Sequence, residues 1–226
     1  MSTPKAKRTF FDLFNKDRTT LRVKFNIHSN EDATQIQIEN KLESKVDTRG
    51  LADLKKICKD NRLSDFLAFY SNYNGFSLGT PMFPRNAIKK ALLRQLPVSE
   101  LMKFTDLYLS NGKWAWTIDL NKTKALYRNE QKWIAFAEVD GGPACLTIFL
   151  NGENAGNIFL LNPQPHFNTS KPIAKTYNEL LDRISKDPAA FFKLTRAYVT
   201  IVGSDKQNYG HIPVEYIDSV QKSTTA

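Results

Sequence analysis

The chain has 226 residues, 41% hydrophobic and 24% charged, which is the make-up of a folded globular protein and excludes disordered, fibrous and low-complexity classes. Its net charge of +9 is concentrated, with seven basic and two acidic groups in residues 1–24 and nine and three in residues 85–128. No apolar run approaches the ~20 residues that span a bilayer, and no leader-type apolar segment follows the basic N-terminus, so a cytoplasmic protein is expected.

Taken in chain order, Leu21, Val23, Phe25 and Ile27 alternate with polar residues, and after a turn at 28–33 Ile36 and Ile38 resume the alternation. That period of two predicts a β-hairpin. Leu51, Leu54, Ile57 and Cys58 follow at helical spacing, and Ser64 is placed to cap a second helix over 65–72 that Asn74-Gly75 stops. The run Asn86–Gln95, with Ile88, Leu92 and Leu93 on one side, predicts a basic amphipathic helix ended by Pro97, and another helix is expected around 99–109. From Asn111-Gly112 onward the period becomes two again. Strands are expected at 113–119, 132–139, 144–150 and 157–161, forming an antiparallel meander punctuated by Asp140-Gly141-Gly142 and Asn151-Gly152. After a polar loop at 162–172, Ile173, Tyr177, Leu180, Leu181 and Ile184 mark a helix. Pro188 opens another, with Phe191, Phe192 and Leu194 inside, and strands at 198–202 and 211–216 form a terminal hairpin before a loose tail beyond Val220. Helices clustered around hairpin-linked strands give an α+β fold: an antiparallel (mixed) sheet flanked by helices, with additional hairpins at both ends.

Few motifs point to catalysis. Gly75-Phe76-Ser77-Leu78-Gly79 fits G-x-S-x-G, but a nucleophile elbow needs a strand before the serine and a helix after it. Here a helix precedes and Pro81 and Pro84 follow, so a helix-to-strand turn is expected, with His28, His166 and His211 structural. Residues 119–130 carry oxygen ligands at several positions of a calcium loop, yet Lys124 occupies the sixth, where glycine is required, so a charged hairpin loop is the better reading. Cys58 and Cys145 lack metal-knuckle spacing and are expected as reduced core thiols. No metal, cofactor or catalytic residue is assigned. Residues 85–136 interleave cations with Phe104, Tyr108, Trp114, Trp116, Tyr127, Trp133 and Phe136, the mix used by single-stranded nucleic-acid grooves; core packing of those aromatics is the competing expectation.

The segment LSDFLAFYSNYNG (63–75), then WIAFAEVDGGPACLTIFLNGENAGNIFLLNPQPHF (133–167), then IAKTYNELLDRI (173–184) resembles, in that order, the SUKH superfamily of Smi/Knr-type immunity proteins. The positions that carry the resemblance are Asn74 and Gly75, Trp133, Asp140 with Gly141 and Gly142, the strand 156–162, and Ala174 with Tyr177 and Leu180. It covers roughly residues 50–186, leaving an N-terminal extension with its hairpin at 1–49, a C-terminal helix and hairpin at 187–220 packed on the same domain, and a tail at 221–226.

The resemblance implies a non-enzymatic α+β binding fold. Bacterial members act as immunity proteins that neutralise a cognate polymorphic toxin, and fungal relatives act as scaffolds in cell-wall signalling. Immunity proteins that block nucleases are expected to be acidic, whereas this chain is basic, so an acidic or mixed-charge toxin surface is expected. The expected contact residues are Arg85, Lys89, Lys90, Arg94, Lys113, Lys122, Lys124 and Arg128, with a nucleic-acid-binding module as the alternative and no membrane partner.

Overall fold

A computed structural model describes residues 9–15, 19–25, 33–108, 132–140, 143–162 and 171–218. The strand expected at 113–119, the charged loop at 119–130, most of the two loops at 28–33 and 162–172, and the tail lie outside the described residues. So do Lys113, Lys122, Lys124, Arg128, Gly141 and Gly142.

The architecture is α+β. Strands β1 (Thr19–Lys24), β2 (Thr34–Leu42), β3 (Phe76–Phe83), β4 (Leu93–Gln95), β5 (Trp133–Val139), β6 (Cys145–Phe149), β7 (Ile158–Leu161), β8 (Val199–Val202) and β9 (Asn208–Asp218) form one sheet in the order β7-β6-β5-β4-β3-β2-β1-β9-β8. Every ladder is antiparallel. Helices α1 (Thr48–Ile57), α2 (Ser64–Asn72), α3 (Leu101–Asp106), α4 (Tyr177–Lys186) and α5 (Pro188–Thr195) flank it. The two terminal hairpins belong to this sheet, because β1 lies between β2 and β9.

The two halves of the sheet bury their strands differently. Along β1 every second residue is buried, as alternation predicts for a sheet with one wet face. In β6 and β7 every residue is buried, so their apolar runs need no polar partner residues. Pro213, which has no N–H to give a ladder, sits in β9 where Arg22 opposes Glu215 and Val23 opposes Pro213, a register shift that leaves one extra residue on β9.

Residues 86–92 do not form the expected helix. Ala87 bridges to Ile201 of β8, the Ile88 N–H donates to Thr200 O at 2.8 Å, and only Leu93–Gln95 are regular, as a strand between β3 and β5. Ile88, Leu92 and Leu93 fit a helical stripe, and the burial of Leu92, Leu93, Gln95 and Leu96 would suit one too, but the backbone of 93–95 is taken up by β3 on one side and β5 on the other. Strand partners on both sides satisfy the backbone instead. Ser64 is likewise the first residue of α2 and not its cap, since the chain enters from a tight turn at Asn61–Leu63 whose Asp60 carboxylate accepts the Arg62 N–H. Leu194, expected inside, is 49% exposed.

Because β4 is only three residues long, the first half of β5 has no strand neighbour on that side among the described residues. Helix α3 fills the place. The Ala135 N–H donates to Thr105 Oγ1 at 3.0 Å, and that hydroxyl donates to Leu101 O at 2.7 Å. On β2, Asn40 sits at a register shift and joins three distant segments: its Nδ2 donates to Leu13 O and to the Tyr216 hydroxyl, and its Oδ1 accepts the Gly79 N–H.

The centre of the molecule is an aromatic cluster containing a buried amide. Phe66, Phe69, Phe136 and Tyr177 meet edge to face, with Tyr70 against Phe66 and Phe69. Within it Tyr177 Oη donates to Gln95 Oε1 at 2.6 Å, and Tyr70 Oη donates to Leu96 O at 2.8 Å. Gln95 Nε2 is buried and has no acceptor within hydrogen-bond distance among the described residues, although the amide lies close enough to Tyr70 to oppose the upward pKa shift that burial imposes on that phenol. Tyr177→Phe is expected to cost about 1–3 kcal/mol, since it leaves the Gln95 carbonyl unpaired, and Gln95→Leu a similar amount by orphaning the phenol. The double variant should be destabilised by less than the sum, measured as a coupling energy from urea unfolding of all four proteins.

Candidate interaction surface

Each residue that carries the family resemblance and is described has a structural task. Asn74 and Gly75 end α2 and hand the chain to β3: the Asn74 N–H donates to Glu43 O, the Glu43 N–H donates to Gly75 O, and Asn74 Oδ1 accepts the Val98 N–H. Gly75 has φ +114°, and a Cβ there would stand 2.5 Å from Gln95 O. Only glycine fits, for both reasons. Ala174 is buried and exchanges backbone hydrogen bonds with Ile158 of β7, Leu180 is fully buried on α4, and Trp133 opens β5, packed against the core.

Ser77 lies within β3, opposite Arg94, and no described histidine hydrogen-bonds to it. His211, in β9, stands beside Phe25 with its Nδ1 3.2 Å from Tyr209 O. Cys58 and Cys145 are free, buried thiols whose pKa burial pushes up to about 12, so neither is a ready nucleophile. Among the described residues no group of His, Cys, Asp and Glu is arranged to hold a metal ion, and no helix is long and apolar enough to cross a membrane.

The expected contact cations separate into two kinds. Arg94 is committed to the fold, with Nη1 3.1 Å from Glu138 of β5 and Nη2 3.1 Å from Glu100, so two carboxylates outweigh its charge. Arg85, Lys89 and Lys90 are exposed, and none is within ion-pair distance of a described carboxylate. The backbone between Arg85 and Lys89 is nonetheless tied to β8. Besides the Ile88 bond, the Val202 N–H donates to Asn86 O and Asn86 Nδ2 donates to Val202 O. The described aromatics of this region serve the interior: Phe104, Tyr108 and Phe136 are buried and Trp133 is half-buried, so base stacking on the first three would require unpacking the core. Trp114, Trp116 and Tyr127 lie outside the described residues.

Alternation and charge do not reveal a second surface, which forms where the end of α5 meets β9. Arg196 ends α5 in the left-handed region, φ +59°, turning the chain so that Ala197 and Tyr198 pass beneath the last helical turn towards β8. Between that turn and Ile212 of β9 lies an open groove of about 450 Å³. Assembling it takes residues far apart in sequence.

Asp140 connects the basic segment to this groove. It follows β5 with φ +52°, a conformation that aspartate tolerates, and its own N–H donates to Leu92 O. The Tyr198 N–H and the Lys90 ammonium lie close enough to its carboxylate to favour the charged form. Burial outweighs them and lifts its pKa to about 6. A carboxyl raised in the folded state stabilises the fold fully below its ordinary value near 3.8, and this contribution is lost as pH rises through about 6. Asp140→Asn keeps a side-chain oxygen near the Tyr198 N–H and removes the half-buried charge. The variant should match the parent at pH 4 and be more stable at pH 7.5 by about 1–2 kcal/mol, checked by chemical unfolding at both values.

No protein-family model matches this sequence, and no curated protein matches it.

Proposed function

We propose that the protein is a non-enzymatic protein-binding module of the SUKH type that neutralises a cognate toxin by stoichiometric binding. The observation that carries this reading is the division of labour in the chain. Asn74, Gly75, Ala174, Tyr177 and Leu180 are all spent on holding helices to the sheet, whereas Arg85, Lys89 and Lys90 stand in solvent on a backbone tied to β8. A scaffold of this kind presents cations that none of its described carboxylates ties up in a close ion pair, which suits recognition of an acidic or mixed-charge protein surface in the cytoplasm.

The test is purification of the tagged full chain from its host with nuclease treatment, bound material being identified by mass spectrometry. One protein near equimolar ratio that survives nuclease supports the reading. Bound material that disappears with nuclease overturns it in favour of a nucleic-acid-binding module. With the partner in hand, the Lys89→Glu, Lys90→Glu double variant should bind about tenfold or more weakly at low salt, and the difference should shrink as ionic strength rises.

A further inference from the structure

The wet face of the sheet carries a site of a different kind from the basic segment. Along β1 and β2, Leu21, Val23, Ile36 and Ile38 point into the core, so Thr20, Gln35 and Gln37 stand on the opposite, solvated face. The register sets Thr20 of β1, Gln37 of β2 and Phe83 of β3 in one row across three strands, roughly 10 Å long. Thr34, Gln35 and Pro84 complete the lining of an open concavity of about 540 Å³. Phe83 is 49% exposed there, an aromatic ring that the core does not use. The hydroxyls of Thr20 and Thr34 and the amides of Gln35 and Gln37 make no side-chain hydrogen bond among the described residues. All four are therefore available to a ligand.

We propose that this concavity binds a neutral saccharide chain, with one pyranose ring lying on Phe83 and the next over Gln37 and Thr20. The inference goes beyond the protein-binding reading and uses none of its residues. Each sugar hydroxyl both donates and accepts a hydrogen bond, and so do a threonine hydroxyl and a glutamine amide, so the row can meet either need of every hydroxyl laid along it. The C–H face of a pyranose covers the apolar ring at the end of the row. Charge selects against other occupants. None of the described lining residues is charged, and in the neighbouring rows Arg22 is paired with Glu215 at 2.7 Å while Lys24 and Glu39 are of opposite sign. A phosphate chain or an acidic peptide finds no excess of cations to hold it. An apolar helix would strip water from four polar side chains and return no hydrogen bonds. A single strand of bases would find one aromatic face where successive stacking needs several.

The experiment titrates the full-length protein with maltotriose, cellotriose and chitotriose, neutral trimers that differ in linkage and substituent, read by saturation-transfer NMR and calorimetry. Saturable binding of at least one is expected in the millimolar range. Phe83→Ala should weaken it about tenfold and Gln37→Ala about fivefold, whereas Phe83→Trp should retain it. Both side chains are exposed, so the melting temperature should hold. Leu194→Ser on α5, equally exposed but outside the concavity, should leave binding unchanged. The inference is overturned by absence of saturable binding of all three trimers, by Phe83→Ala and Gln37→Ala variants that bind like the parent, by Leu194→Ser weakening binding as much as Phe83→Ala, or by adenosine or oligothymidine displacing the sugar. Self-association of the chain that Phe83→Ala abolishes would show a second copy on this face and overturns it as well. None of these outcomes alters the protein-binding reading, which stands or falls on the purification above.

Discussion

The close passage of the Gly75 backbone against Gln95 is the constraint on which the rest of the structure depends. With φ +114° and 2.5 Å from a would-be Cβ to Gln95 O, the turn brings the end of α2 directly against β4. Through the Glu43 bonds it also brings the end of β2 alongside, so β3 leaves the turn already placed between β2 and β4. The N-terminal half of the sheet and the β4–β7 half thus share one junction. Asn74 then fixes the start of the next helical segment by accepting the Val98 N–H, a bond that a hydrophobic residue could not make.

Directly behind that junction sits Gln95, whose side chain explains why the core has a single arrangement. An apolar interior tolerates small slips of helix against sheet, whereas an amide paired with the Tyr177 phenol at 2.6 Å does not, because any slip strands two polar groups away from water. Asn40 acts in the same way near that end of β2, where its amide serves Leu13, Tyr216 and Gly79 at once. A buried amide and a half-buried one on neighbouring parts of one sheet thereby set the register that hydrophobic burial alone leaves loose.

How much could be read in advance follows from where the determining contacts lie. The hairpin of β1 and β2, the β5–β7 meander, α4 and the terminal hairpin all declare themselves within short windows, because their periodicity and turn residues are local. The segment at 86–95 does not. Ile88, Leu92 and Leu93 carry a helical spacing, and what overrides it is supplied from afar: β8 for Ala87 and Ile88, β3 and β5 for β4, and Glu138 for Arg94. Tertiary partners outbid local propensity there. The interaction surface divides along the same line. Exposed lysines are legible from charge, but the groove needs residues 190–198 and Ile212 brought together, and Leu194 at helical spacing with Phe191 reads as one more core position.

That override has a functional side. Had residues 86–92 formed an amphipathic helix, Lys89 and Lys90 would project from a surface element free to fray and re-pack. Ala87 and Ile88 instead tie the segment just before them to β8, so on the proposed reading a partner would have chiefly the lysine side-chain rotamers to fix. Binding then forfeits less conformational entropy, roughly 0.5–1.5 kcal/mol for each long side chain that must be immobilised and nothing further for the main chain. On the proposed protein-binding reading, a partner would meet side chains carried on backbone tied to the sheet, which favours a complementary surface over loosely fitting ones.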